Sequence, residues 1–429
     1  MSMQENKTYI YESPDKGKTV YRREINDHNK RELINTESFS WPLMKDCITD
    51  TDRNAMINFL KTAGRLTNGP MVKKFEKEWS EWLGCKYSLF VSSGSTANTL
   101  LVAAIKEKYN LQDGDKVIVP CMTWVTNISP VMQLGLQTIF CDVDPKTFSF
   151  KVDSLKAISK EHNDIKMVFV SHLFGISADM DAYKKIFPNA IFIEDVCESH
   201  GATYKGKKCG TLSEGSTFSS YFGHHMTTVE GGFVSTNDIE LYNLMKMKRS
   251  HGMAREAVPE MYEQYKTENP EIHPMFMFMT DGYNLRSMEI NAVLGSSQLK
   301  RLDSNNKIRR DNFLKFIDIV SQYPEHFEVD YQIKGNSSFC LPFICHSPEF
   351  KTKLETFLSN NNIETRPLCS GNLLRQPFLQ RVSGIPSPDK FPSVEFLHEN
   401  GFFIGNNHMI SDDDFRMLTT LIESFVNEY

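Results

Sequence analysis

Residues 190–201 read Ala190-Ile191-Phe192-Ile193-Glu194-Asp195-Val196-Cys197-Glu198-Ser199-His200-Gly201. Four apolar residues run without alternation and stop at two acids. So short an apolar run reads as a strand buried on both faces, and such strands belong to parallel sheets covered by helices. The acids then fall at the strand's carboxyl end, which is where open parallel sheets bind their ligands. A carboxylate there, Asp195, can hold a pyridine nitrogen protonated and make the ring an electron sink. The same acid could equally cap the next helix.

Comparable runs recur on either side. Tyr87–Val91, Lys116–Val119, Thr138–Cys141 and Met167–Val170 read as strands before it, and Ser216–Tyr221 and Gly232–Thr236 after it. Helices are expected from Thr96 to Tyr109, over Ile239–Arg249 and over Ser287–Leu302. Upstream, Asp50 or Thr51 can cap a helix with Met56, Phe59 and Leu60 on one face. Phe75, Trp79, Trp82 and Leu83 mark a second amphipathic helix. The alternation predicts an α/β fold with a mostly parallel mixed sheet. Past residue 302, strands near Phe327–Tyr331 and Phe339–Phe343 and a helix at Glu349–Asn360 predict a smaller α/β domain. The expected division is an arm at 1–40, a large domain at 41–302 and a small domain at 303–429. The arm is either a tail or carries a short strand around Tyr9–Tyr11 or Thr19–Tyr21.

The bulk numbers exclude several classes. A net charge of -6 argues against a nucleic-acid partner. No run of eighteen apolar residues occurs and the first residues lack an apolar signal core, so no membrane partner is expected. The nine cysteines are odd in number, form no CxxC pair and mostly sit in apolar runs. That pattern suits reduced thiols in the cytoplasm.

Further motifs carry chemistry. Ser92-Ser93-Gly94-Ser95-Thr96-Ala97 follows a strand and opens a helix, a place where free N–H groups and hydroxyls bind phosphate; it also reads as a plain capped helix start. Trp124 offers an aromatic face. Ser219-Ser220-Tyr221-Phe222-Gly223-His224-His225 adds a hydroxyl cluster and two imidazoles. Adjacent side chains diverge and no zinc-type spacing is near, so no metal is expected. His225 reads as a packing residue, and Met275–Met279 as a mobile cover or a subunit interface.

Together SGSTAN (93–98), TWVTN (123–127), EDVCESHGA (194–202), the segment 219–232 and GYNLRSMEINAVLG (282–295) occur in a family's order and spacing. Over nearly all of residues 41–429 the chain resembles the DegT/DnrJ/EryC1/StrS sugar aminotransferases and dehydratases, whose fold is the type I, aspartate-aminotransferase-like one. Most members have lysine six residues before the glutamate matching Glu230. Here that residue is His224. An imidazole cannot form lysine's covalent link to a coenzyme aldehyde. The departure is similar to a subgroup of nucleotide-sugar 3-dehydratases.

The resemblance implies pyridoxal 5'-phosphate and its pyridoxamine form, held without a covalent bond, with His224 as the catalytic base. It implies Trp124 on the ring face, Asp195 at the ring nitrogen and Glu198 near the ring hydroxyl. Ser93, Gly94, Ser95 and Ser219 would hold the phosphate. Asn284 would reach the phosphate of a neighbouring subunit, making a homodimer with the cofactor site at its interface. His251, Arg286, Arg366 and Arg375, with Asn372, would approach sugar and diphosphate. The implied substrate is a nucleotide-diphosphate keto sugar, GDP-4-keto-6-deoxy-D-mannose before others. L-glutamate would donate the amino group, ammonia would leave, and the product would serve lipopolysaccharide O-antigen. One branch of the family holds an iron–sulfur cluster through cysteines after the segment matching Arg249–Gly252. Met253–Asp281 has no cysteine, so no iron–sulfur cluster is expected. Two other readings stay open: a 4-aminotransferase using Lys205, Lys207 or Lys208, and a non-catalytic protein that binds cofactor or nucleotide sugar.

Overall fold

A computed structural model describes residues 9–12, 20–24, 32–35 and 39–429. Its main sheet contains β1 (Tyr87–Val91), β2 (Lys116–Pro120), β3 (Gln137–Cys141), β4 (Ile165–Ser171), β5 (Ile191–Asp195), β6 (Gly215–Ser219) and β7 (Gly232–Thr236). They lie in the order β1-β7-β6-β5-β4-β2-β3, and β7 alone runs against the rest. This is the mostly parallel α/β sheet that the apolar runs predict.

Period-two alternation sends neighbouring side chains to opposite faces, and here both faces are core. In β1, Leu89 and Val91 join the cluster with Ala97, Leu100 and Leu101 of the helix Gly94–Lys108. Phe90 joins Phe75 and Trp79 of the helix Pro70–Leu83. There Trp79 stacks flat on Phe233 of β7, with ring centroids 4.2 Å apart. Offset aromatic pairs of this kind add roughly 1 kcal/mol beyond the area that they bury.

A second, antiparallel sheet pairs Cys340–Ile344 and Thr365–Pro367 with a central strand, Gly401–Gly405. Gly405 has a topological use. A Cβ there would meet the carbonyl oxygens of Leu43 and Pro42 at 2.4 and 2.5 Å. Its bareness lets residues 41–43 cross, and the Trp41 indole N–H donates to the Gly405 carbonyl at 2.8 Å.

Several expectations need correction. Phe327–Tyr331 is not a strand: Phe327 alone bridges Cys345. Glu328 Oε1 accepts the N–H groups of Val329 and Asp330, which takes them out of any ladder. Phe327 and Tyr331 are buried as separate anchors. The short strands Thr365–Pro367 and Gly401–Gly405 and the helix Asp412–Glu428 carry no expectation from sequence. The N-terminal residues form an antiparallel meander of Tyr9–Glu12, Val20–Glu24 and Glu32–Asn35; Thr19 lies outside the described residues.

The helix Asp50–Thr62 is capped by Thr49, not by Asp50 or Thr51, because Asp52 completes a capping box with it. Its expected apolar face is only half-covered, with Leu60 51% exposed. The residue that it buries is Asp52, which accepts from Arg301 and, at 3.1 Å, from Gln298. Burial alone would raise this carboxyl; Arg301, Ser297 and the Thr49 N–H outweigh it and bring it down to about 2. Because the folded value is the lower one, the pair stabilises above the ordinary value and is lost as pH falls through about 2. Asp52→Ala strands the guanidinium, and we expect a loss of about 3 kcal/mol. Chemical denaturation should show it, together with a flatter stability profile between pH 3.8 and about 2.

Candidate active site

The carboxyl ends of β1, β4, β5 and β6 open on a cavity of about 620 Å³. At β1 the chain turns into the helix Gly94–Lys108, whose first turn is fixed by a capping box. The Ser93 hydroxyl accepts from the Thr96 N–H at 3.1 Å, and Thr96 Oγ1 accepts from the Ser93 N–H at 2.9 Å. A Cβ on Gly94 would meet Ser219 Cβ at 2.6 Å. Only glycine lets the helix N-terminus close on Ser219, so Ser93, Gly94, Ser95 and Ser219 line one cavity together. Partly unpaired N–H groups, hydroxyls and the positive end of the helix suit a phosphate.

Asp195 ends β5 and is held at both oxygens. Asn98 Nδ2 donates to Oδ2 at 2.9 Å and the Cys197 N–H donates to Oδ1 at 2.9 Å. Thr217 in turn donates to Asn98 Oδ1 at 2.5 Å. The carboxylate is therefore aimed before any ligand arrives. Trp124 also lines the cavity, 56% exposed, so its ring is free to cover a flat ligand. This donor set fits a phosphorylated pyridine: an anion cradle, an acid for a ring nitrogen, an aromatic for the face. Glu198 lines the wall beside them; burial pushes its carboxyl up to about 7, against one N–H from Phe174 and helped by the Asp195 charge.

His224 lies on the turn after Ser219, its N–H bonded to the Tyr221 carbonyl at 3.0 Å. Burial, then the positive charge of Arg309, lowers its imidazole to about 4. It is neutral at pH 7 and able to accept a proton. Its Nδ1 is buried without a protein partner, which leaves Nε2 for the cavity. Arg309 is 2% exposed and pairs with no acid among the described residues; it donates to the carbonyls of Phe339 and Asn406.

Of the remaining candidates, Arg366 lines the cavity and the others do not. Asn284 bridges Ser250, and Arg286 bridges Val91. His251, at φ +65°, donates its N–H to the Tyr283 carbonyl. This cluster sits beside the end of β1, where the Ser92 N–H meets the Leu285 carbonyl. Arg375 is engaged by Glu395 and Glu399, and Asn372 by Glu395. Lys205 is engaged by Asp181, and the Lys208 ammonium by the Trp82 carbonyl. Lys205, Lys207 and Lys208 all lie off the cavity, whose lining holds no lysine among the described residues. Sequence reasoning missed Asn98, the buried amide behind Asp195. Its signal was a lone polar residue in an Ala/Leu face one turn past Gly94. It also missed Leu43, Phe339 and Asn406, which reach the cavity from distant segments with no local mark.

The model of the DegT/DnrJ/EryC1/StrS aminotransferase family matches residues 47–422. The chain belongs to this family. GDP-4-keto-6-deoxy-D-mannose 3-dehydratase of Yersinia pseudotuberculosis is 34% identical over 393 residues, 90% of this chain and 98% of that one. The Escherichia coli O55:H7 protein of that name is 31% identical, covering 90% and 100%. The solved E. coli enzyme with bound hydrated PLP superimposes with a TM-score of 0.82 at 31% identity, covering 90% of this chain and all of that one. A GDP-4-keto-6-deoxymannose-3-dehydratase with a trapped PLP-glutamate geminal diamine gives 0.81 at 31%, covering 89% and 100%. Helicobacter pylori PseC, 21% identical over 91% of this chain and all of that one, shares the fold at 0.78. The fold of this family member is thus the type I PLP-dependent, aspartate-aminotransferase-like one.

The enclosure of His224 sets its pH behaviour. The folded chain protonates it near 4 and the unfolded chain near 6.5. The unfolded state binds more protons between these values, so stability falls as pH drops through the window. We expect the His224 ring proton shift in NMR to titrate near pH 4, and His224→Gln to lessen the drop in Tm between pH 6.5 and 4. A midpoint near 6.5 would mean that the ring is open to water.

Proposed function

We propose that this chain is a 3-dehydratase of a nucleotide-linked 4-keto-6-deoxyhexose, with GDP-4-keto-6-deoxy-D-mannose as the substrate to test first. It would use pyridoxal and pyridoxamine phosphate with L-glutamate. One observation carries the reading: an imidazole, and no lysine among the described residues, lines the cavity in which the phosphate cradle and Asp195 meet. The names of the dehydratase relatives and their PLP- and GDP-sugar-bound structures support the cofactor and the substrate class.

In this reading Ser93, Gly94, Ser95 and Ser219 hold the phosphate, Asp195 the ring nitrogen, Trp124 the ring face and Glu198 the ring hydroxyl. The bound coenzyme supplies an electron-accepting pyridinium and an amino group for the sugar's 4-keto carbon. His224 Nε2 accepts a proton and returns it as the C3 hydroxyl departs as water. The ring is neutral at pH 7 with a nitrogen free to accept, and the negative charge of a bound phosphate would raise its basicity towards the working pH. Arg366 meets the diphosphate; the planar guanidinium suits it. Net chemistry balances: the sugar loses one oxygen, and glutamate supplies the two electrons and leaves as 2-oxoglutarate and ammonia. Residues 41–302 supply the cofactor wall, and 303–429 supply Arg366.

The working form is a homodimer in which Asn284 of the partner subunit completes the phosphate site. Support comes from the position of this chain's Asn284 outside its own cavity and from the exposed Met275, Phe276 and Phe278. Nine free thiols support a cytoplasmic setting. No helix among the described residues is long and apolar enough to cross a membrane. The product suits lipopolysaccharide O-antigen, in line with a 29% identical Salmonella lipopolysaccharide biosynthesis protein.

The decisive test incubates the protein with coenzyme, glutamate and a panel of 4-keto-6-deoxy nucleotide sugars, with products weighed by mass spectrometry. We expect loss of one oxygen from the GDP sugar and ammonia in equal amount; an aminated sugar would mean a 4-aminotransferase. Borohydride reduction of the holoenzyme should label no lysine. His224→Lys should gain a borohydride-fixed pyridoxyl group at residue 224 and lose at least about 100-fold in dehydration, the low end for a displaced acid–base group. Dehydration at the parental rate in that variant would remove His224 from the role.

A further inference from the structure

Behind His224 lie two more imidazoles that the mechanism above does not use. His200 is fully buried, with ring centroids 5.2 Å from His225 and 6.3 Å from His224. Trp79 and Phe218 wall in the rest of its ring at 5.6 and 5.5 Å. Both nitrogens of His200, Nδ1 of His224 and Nδ1 of His225 are buried without a hydrogen-bond partner. Four such atoms on three adjacent rings call for an explanation, because native interiors pair nearly all their polar atoms. Two imidazoles joined by a direct N–H···N bond have centroids about 5 Å apart, and one bridging water or a small ring rotation covers another ångström or so. The three rings are spaced for mutual pairing.

Donor and acceptor counting then fixes the direction of the chain. His225 Nε2 lies 2.6 Å from the Ser337 carbonyl, which can only accept. Nε2 therefore carries the proton, and in a neutral ring Nδ1 is bare. The imidazole beside this acceptor is His200; donating to it with one nitrogen would leave the other nitrogen of His200 bare. A bare nitrogen towards His224 calls for a proton on His224 Nδ1. His224 Nε2 is then the unprotonated nitrogen, and it is the one that meets the cavity. The reverse order would set two bare nitrogens against each other at one joint, or a bare Nε2 against the Ser337 carbonyl. Arg309, the charged group that acts on all three rings, donates to the Phe339 carbonyl, and the Phe339 ring lies 5.4 Å from His224 and 6.0 Å from His225. Burial and that charge hold all three imidazoles below their ordinary values, so all are neutral at pH 7. The carbonyls of Cys197, near His224, and Ser219, near His200, are the other polar groups there.

We propose that His200 is a positioning residue: with His225 and the Ser337 carbonyl it forms a one-way hydrogen-bonded chain that fixes His224 as the tautomer with a bare Nε2 in the cavity. This rests on the reading that His224 is the proton carrier. A free imidazole divides between tautomers; the chain makes the whole population competent.

The test uses the full chain with 15N-labelled histidine rings, without substrate, at pH 7. Long-range 1H–15N spectra report which nitrogen bears hydrogen, and the His224 signals are those lost in His224→Asn. We expect a protonated Nδ1 and a bare Nε2 in the parent. In His200→Phe the His224 signals should move towards a mixture, and kcat should fall about 10-fold with KM within about 3-fold, a loss of the size set by one acid–base group. His200→Gln, whose amide both donates and accepts, should recover most of both. A proton on Nε2 in the parent overturns the proposal without needing any variant. So does an unchanged His224 tautomer in His200→Phe. If the tautomer responds as expected but no nucleotide sugar is dehydrated, the chain stands and the proposed function falls.

Discussion

The parallel pairing of β5 with β4 and β6 decides where every other part can be. It places Ser171, Asp195 and Thr217 in one row across three strands. Glu194 and Asp195 then point to opposite faces, and each finds a different environment. Glu194 is fully buried and accepts from the N–H groups of Gly210 and Leu212 and from the Ser213 hydroxyl. The same carboxylate faces His172 Nε2 at 3.0 Å. His172 Nδ1 accepts the Ala178 N–H, so Nε2 is the nitrogen that donates to Glu194. One acid fastens the sheet and the other addresses the cavity. A slip of one residue would exchange them, leaving an unpaired carboxylate in the core.

The cavity wall is electrically unusual in a consistent direction. Behind it Arg309 is a buried cation that pairs with no acid among the described residues; in it burial raises the Glu198 carboxyl to about 7, and the His224 ring is neutral at pH 7. Each of these costs stability in an unliganded fold. Each becomes useful when anionic groups enter. Phosphates offset the uncompensated positive field, and the neutral imidazole is left as the acceptor that a departing proton meets. One of the strained backbone positions follows His225 closely: Val229, β-branched, is held at φ +68°.

Much of this was legible in the sequence because it is local. The strands β1, β4 and β5 are apolar runs with sharp ends; Gly94 comes three residues after β1, Asp195 ends β5, and Ser219 ends β6 five residues before His224. What was not legible depends on long-range closure. Phe327–Tyr331 has a strand's composition, but the Glu328 side chain takes the N–H groups that a ladder would need. Asp52 has no local mark in the sequence, and the Arg301 that pairs with it in the buried state lies far away along the chain. Leu43, Phe339 and Asn406 enter the cavity from parts of the chain that no spacing rule connects to residue 224. Arg375 looked free for a diphosphate and is held by Glu395 and Glu399.

The surroundings of His224 also explain why histidine there is more than a lysine removed. An ammonium in the same place would be buried near Arg309 and driven to its neutral amine, as the imidazole is driven to its neutral form. Charge therefore does not distinguish the two. An amine has one nitrogen, and everything it does happens at that atom, so nothing behind it matters to its reactivity. An imidazole has two, and the state of the hidden one dictates the state of the exposed one. A pocket that buries Nδ1 without a hydrogen-bond partner, with His200 beside the ring, while the same ring lines the cavity of Asp195 and the phosphate cradle, suits a base with two ends.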